Sequence, residues 1–195
     1  MLMAAALLST LQLVSAQEKL PREEALVYAK IVSPFTKQAG GIATDVDIQK
    51  PVVVKDEDYA GMALPQKNLN AESIAQASET PVPIGQLWLH KLTPMRDGSG
   101  LPADKLRLVS VRHEGEEITV PACALGAQRN RSGALELLVF GKDKEPILKL
   151  PLKKIETTQE LPIDITAERT GEGAAVTLKI LGKYEAKLKV TELEI

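Results

Sequence analysis

Tyr184-Glu185-Ala186-Lys187-Leu188-Lys189-Val190-Thr191 is the stretch that decides the fold class of this chain. Tyr184, Ala186, Leu188 and Val190 alternate with Glu185, Lys187, Lys189 and Thr191, and a period of two puts one set on each face of a β-strand. One face therefore meets a core and the other meets water. Gly182-Lys183 supplies a glycine for a tight reversal just before it, and Ala174 to Leu181 is a second strand, so the C-terminus reads as a hairpin.

The same grammar extends back to Ile84. The candidate strands there are Gly85 to Leu92, Lys105 to Arg112, Glu117 to Ala122, Leu135 to Phe140, Pro146 to Leu152 and Leu161 to Ala167. His113-Glu114-Gly115-Glu116 and Gly141-Lys142-Asp143-Lys144 are turns between them. Leu135-Glu136-Leu137-Leu138-Val139-Phe140 is apolar on both faces, which calls for a cover on each side. Short strands about ten residues apart with turn signals between them predict a mainly β protein: an antiparallel β-sandwich, immunoglobulin-like, or a barrel. The Cys-Trp-Cys arrangement of antibody domains is missing, since Cys123 is the only cysteine.

Before Ile84 the sequence predicts a short α/β region over 17–83. Pro21-Arg22-Glu23-Glu24 opens a helix, with proline in the first turn and acids at the positive end of the dipole, and Ala25, Leu26, Ala29 and Val32 follow at helical spacing. Pro34 and Gly40-Gly41 end it. Ile42 to Val46 and Pro51 to Lys55 follow, the Val52-Val53-Val54 run reading as a strand that leads into the acidic turn Asp56-Glu57-Asp58. Asn70 caps a short helix through Ile74 and Ala77. Pro81 and Pro83, inside Ser78 to Pro83, mark a boundary before a β-domain over 84–195.

Residues 1–16 form an uncharged apolar run through Ala4, Leu7, Leu8, Leu11 and Leu13 that closes on the small-x-small site Val14-Ser15-Ala16. That pattern predicts a cleaved signal peptide, a mature chain from Gln17 and a secreted or periplasmic location, with no membrane span in the mature chain. With 24 basic and 26 acidic residues the 195-residue chain is nearly neutral, without the basic footprint that a nucleic-acid partner demands. Aromatic residues make up 3%, which leaves little for stacking platforms. A single cysteine allows no intrachain disulfide, so stability must come from the core.

Few residues carry chemistry by their pattern. His90 falls in a strand and His113 in a turn, and Cys123 has the apolar neighbours of a small buried hydrophobe. Asp45, Asp47, Asp56, Glu57 and Asp58 are the most suggestive group. Asp45, Asp47, Asp56 and Asp58 are the candidate ligands for Ca2+, the only cofactor under consideration, although their spacing is not that of an EF-hand. Asn130-Arg131-Ser132 matches an N-glycosylation sequon. The leading expectation is a non-catalytic β-sandwich module with a protein or cell-surface partner. The alternatives are a calcium-binding extracellular domain and a hydrolase that takes its acid from Asp45, Asp56 or Asp58 and its base from His90 or His113. A concave pocket lined by two or more of those residues favours the hydrolase, and their dispersal favours the module.

Overall fold

The structure, a computed structural model, describes residues 17–37, 41–171 and 173–194. Residues 1–16, where the signal peptide is expected, lie outside them. In chain order the elements are β1 (Glu18–Lys19), α1 (Arg22–Val32), β2 (Val52–Asp56), β3 (Tyr59–Pro65), α2 (Ala71–Ala75), β4 (Val82–His90), β5 (Leu92–Arg96), β6 (Ser99–Gly100), β7 (Leu108–His113), β8 (Glu116–Arg129), β9 (Leu135–Phe140), β10 (Pro146–Pro151), β11 (Lys153–Lys154), β12 (Ile163–Thr170), β13 (Gly173–Ile180) and β14 (Tyr184–Glu192).

The strands form two antiparallel sheets, and neither closes into a barrel. The larger runs β1-β2-β3-β4-β8-β9-β10, with β7 also on β8, and the smaller runs β12-β13-β14-β5-β6, with β11 also on β14. The C-terminal hairpin has the expected register, with Val176 opposite Leu188, Thr177 opposite Lys187 and Leu178 opposite Ala186. Its apolar face packs against the inner face of the large sheet. Leu87, Leu89, Leu125, Leu137 and Val139 of the large sheet share one core with Ile163, Ile165, Val176, Leu178 and Leu188 of the small one.

The outer face of the large sheet is covered too. Ala25, Ala29 and Val32 of α1 and Val46 of the following segment close over Val53, Met62, Leu64, Trp88 and Val120, which makes a third layer. Ile42 caps Leu138 and Phe140 in the same way, the cover that a two-faced β9 called for. A buried polar clasp fixes this layer. Gln86 Nε2 donates to the Thr36 carbonyl (2.7 Å) and to Thr44 Oγ1 (2.7 Å), and Gln86 Oε1 accepts from Trp88 Nε1 (3.1 Å). The Arg107 guanidinium lies 5.7 Å from the Trp88 ring centroid and donates to the Phe35 carbonyl.

Several local expectations change. Ser78–Pro83 leads straight into a shared sheet rather than separating two units: β3 pairs with β4 from Ala60 opposite His90 to Pro65 opposite Gly85, so residues on both sides of 83 build one sheet and one core. Pro83 is tolerated because the β4–β8 register shifts between Pro83 and Gly85. Gly85 has φ +152°, and a Cβ there would overlap the Leu64 carbonyl oxygen. The expected strand Gly85 to Leu92 is split at Lys91 (φ +56°), where the chain leaves the large sheet for the small one. Ala103–Lys105 forms a 3-10 turn, so β7 begins at Leu108. Ile42 to Val46 contributes only an isolated bridge between Val46 and Gln66.

One amide of the edge strand β12 is taken by the strand's own side chain. Asp164 Oδ1 accepts from the Ile165 N–H (2.9 Å) and forms an ion pair with Lys19 of β1.

Candidate functional site

Strand register determines which turns meet. Asp56 lies opposite Tyr59, Ala60 opposite His90, and Leu92 opposite Glu192, so the β2–β3 and β4–β5 turns and the end of β14 share one end of the sandwich. The β12–β13 turn joins them, because Arg169 near the end of β12 reaches Asp56. β8 begins well before Ala122, the partner of Trp88, and so carries His113 and the β7–β8 turn beyond the end of β4. Sandwich folds commonly cluster their binding loops at such an end.

A cavity of about 250 Å3 opens there on the outer face of the large sheet. Successive outward-facing residues of β2, β3, β4 and β8 make the floor: Val53, Met62 and Trp88 at depth, then Lys55, Ala60, His90 and Val120 one pleat nearer the turns. Tyr28 and Ile31 of α1 form the roof. His113 stands at the side with its ring centroid 5.5 Å from that of Tyr28 and the planes tilted by 53°. The Gln86 and Arg107 contacts hold the Trp88 ring in the floor.

The mouth carries the titratable groups. Asp58, His90 and His113 all line it, although 55 residues of sequence separate Asp58 from His113. His90 Nδ1 is buried without a hydrogen-bond partner among the described residues. Burial holds the His90 imidazole below its ordinary value, the nearby Lys91 charge lowers it further, and Asp58 opposes both.

A second cavity, about 320 Å3, lies between the two sheets at the same end, with Leu89, Val176 and Val190 among its walls. Arg169 spans its rim. Its Nε donates to Asp56 Oδ2 (2.6 Å) and its Nη2 to Asp56 Oδ1 (2.9 Å), while Nη2 also stands 3.1 Å from Glu57 Oε2. These two carboxylates hold the guanidinium above its ordinary pKa. Tyr59 sits between the cavities; desolvation raises its phenol, and the adjacent Glu192, to which it hydrogen-bonds, raises it further.

The four aspartates considered for Ca2+ do not converge. Asp56 and Asp58 lie at the start of β3, whereas Asp45 and Asp47 lie beside Gln66 and Pro65 at its far end. A seven-residue strand puts about 20 Å between the two pairs. Asp45 pairs with Lys67 (2.9 Å) and Asp47 with Lys50 (3.3 Å), so local cations already answer both charges. Among the described residues no three His, Cys, Asp or Glu side chains come together to hold a metal ion. Cys123 points into the core, where burial pushes its thiol up to about 12 despite the Arg107 charge nearby. Asn130 is engaged in its own turn: Oδ1 accepts from the Ser132 N–H (3.0 Å), the Ser132 hydroxyl (2.7 Å) and the Ala134 N–H (3.0 Å), and Nδ2 donates to Glu136 (2.9 Å).

Sequence reasoning named Asp58, His90 and His113 together only as the acid and base of the hydrolase alternative, and missed Tyr28, Met62 and Arg169. Tyr28 and Met62 look like ordinary core residues, and only the helix-over-sheet layer turns them into cavity walls. No family model, curated protein or solved structure matches the chain.

Proposed function

We propose that the protein is a secreted or periplasmic, non-catalytic β-sandwich module that binds its partner through the helix-covered cavity at the turn end. One observation carries this reading: the cavity has apolar walls and a floor whose Trp88 is held by Gln86, and its few polar groups are gathered at the mouth. Apolar pockets with a small number of placed polar groups are the usual form of binding sites. No Ser, Thr or Cys is among the described residues that line it, so the site has no hydroxyl or thiol of the Ser–His or Cys–His type.

The meeting of Asp58, His90 and His113 favours a second reading, the hydrolase. Acid–base catalysis needs a base held in place by a hydrogen bond to an orienting group. Among the described residues His90 Nδ1 has no such partner, which is why binding is the primary reading.

Titration with the neutral fluorophore N-phenylnaphthylamine tests the site, with an expected saturable rise in emission that is lost when Ala60→Leu fills the floor. No saturable response would overturn the binding reading. Turnover of nitrophenyl esters that disappears in both His90→Gln and His113→Gln would replace it with the hydrolase. N-terminal mass spectrometry of the native protein tests the location, with Gln17 as the expected first residue.

A further inference from the structure

We infer that the second cavity, between the two sheets, is a binding site for a small uncharged apolar molecule of one or two rings, separate from the helix-covered cavity. Gly61 carries the argument. A glycine inside a strand weakens it and often marks a bulge, a bend, or a close approach by another backbone or by a ligand. Here the structure removes every reason but the last. Val54 lies opposite Gly61 and Gly61 opposite Leu89 in registers that run without a shift, so β3 has neither bulge nor bend at this point. Gly61 is not among the residues with positive φ. A Cβ built on it would meet only side-chain methyl groups at ordinary contact distances: Ile165 Cδ1 at 3.4 Å, Val54 Cγ2 at 3.7 Å and Leu89 Cδ2 at 3.9 Å. Gly85 and Gly173 differ, since a Cβ on either would overlap a carbonyl oxygen of the neighbouring strand. Alanine would fit at 61, so the glycine leaves room that the fold itself does not need.

That room belongs to the inter-sheet cavity. Gly61 lines it together with Val54, Leu89, Ala167, Ala174 and Val176. Its volume of about 320 Å3 is twice that of a dry apolar cavity of about 150 Å3 that holds benzene, which sets the size of the guest. The rim sets its polarity. Arg169 is held by Asp56 and Glu57, and Tyr59 hydrogen-bonds to Glu192, so these groups answer one another. Lys55 follows Val54 and belongs to the opposite face of β2. Gln17 Oε1 is itself covered and out of a guest's reach. A charged guest would give up its hydration without gaining a counter-charge, whereas an apolar one gains contact with the methyl groups around Gly61.

The experiment is isothermal titration calorimetry of the Gln17–Ile195 chain with toluene, benzoate and benzylammonium, alongside calorimetric melts of the variants. Saturable binding of toluene is expected, at least tenfold tighter than either ion. Toluene should bind at least threefold more weakly to Gly61→Ala, whose methyl occupies the guest's seat, and should be excluded by Ala174→Leu from the facing sheet. Gly61→Ala should melt at or above the temperature of the parent chain, because a strand glycine has been replaced where alanine fits. No binding of toluene would overturn the site, and equal binding of either ion would overturn the class of guest. Unchanged toluene affinity in both variants would place the guest elsewhere, as in the helix-covered cavity, and overturn this site while leaving that one standing. A Gly61→Ala chain that melts well below the parent or does not fold would show that the strand needs its glycine, and the inference falls. Should Ala174→Leu not fold, Gly61→Ala and the charge series decide the matter alone.

Discussion

Deleting residues 17–83 tests how the sandwich is held together. The deletion removes β1, β2, β3, α1 and α2, and with β3 go the six register pairs on one side of β4. Trp88, Val109, Val111 and Val120 lose the helical cover, while Leu87, Leu89, Ile163 and Ile165 lose the neighbours supplied by β2 and β3. All eight are less than 9% exposed in the intact chain. Full burial of such a side chain contributes about 1.5–3 kcal/mol. If each loses about half its burial, the loss is about 6–12 kcal/mol, as large as the whole stability of a typical domain, about 5–15 kcal/mol. An Ile84–Ile195 fragment is therefore expected to be unfolded or aggregated, whereas Gln17–Ile195 shows a β-type far-UV spectrum. Urea titration of both followed by circular dichroism is the assay. A cooperative transition in the fragment, with a midpoint near that of the longer chain, would refute the reasoning and restore an independent C-terminal β-domain.

Three further outcomes are expected. Leu188→Asp buries an unpaired carboxylate opposite Val176 and should cost on the order of 3 kcal/mol or more, whereas Lys187→Asp on the solvent face should stay within about 0.5 kcal/mol; thermal melts compare them, and similar losses would mean a slipped register. Cys123 should react with a thiol reagent only after denaturation, and because its folded pKa is raised to about 12 the native state holds the proton longer than the unfolded chain. Stability should therefore fall as pH climbs from the ordinary thiol range towards about 12, a slope that Cys123→Ala removes in urea melts. His90 titrates below its ordinary value in the folded state, so the unfolded chain binds the proton first; stability should decline as pH falls below about 6.5, and His90→Asn should flatten that part of the curve.

β14 and β13 were legible because their alternation is complete and one face of each is wet. β9 was legible for the opposite reason: apolar residues on both faces announced covers on both sides, and the small sheet and Ile42 supply them. β3 hides in Tyr59-Ala60-Gly61-Met62-Ala63-Leu64-Pro65, where small residues break the alternation, and β5 hides behind Pro94. β8 was read only as Glu117 to Ala122 because the small residues after it resemble a loop, yet they continue as strand to Arg129, where close neighbours on both sides leave little room for side chains. The supposed boundary came from reading Pro81 and Pro83 as a linker, when a bulge lets proline stay in the sheet. The site was legible as residues and not as a place. Asp58, His90 and His113 are joined only by the β3–β4–β8 pairings, which are non-local and have no sequence signature.

The carboxylate of Asp164 has a consequence for how copies of this chain behave beside one another. An unpaired strand edge is a template on which a second molecule can lay its own backbone. On β12 the Ile165 amide is already taken by Asp164, and Lys19 holds that carboxylate in place. An incoming strand must evict an internal hydrogen bond and break an ion pair before it can form a rung at Ile165. Crowded copies are thereby discouraged from joining edge to edge, and Asp164→Ala should first show itself as faster light-scattering growth in concentrated solution, with little change in the fold of the single molecule.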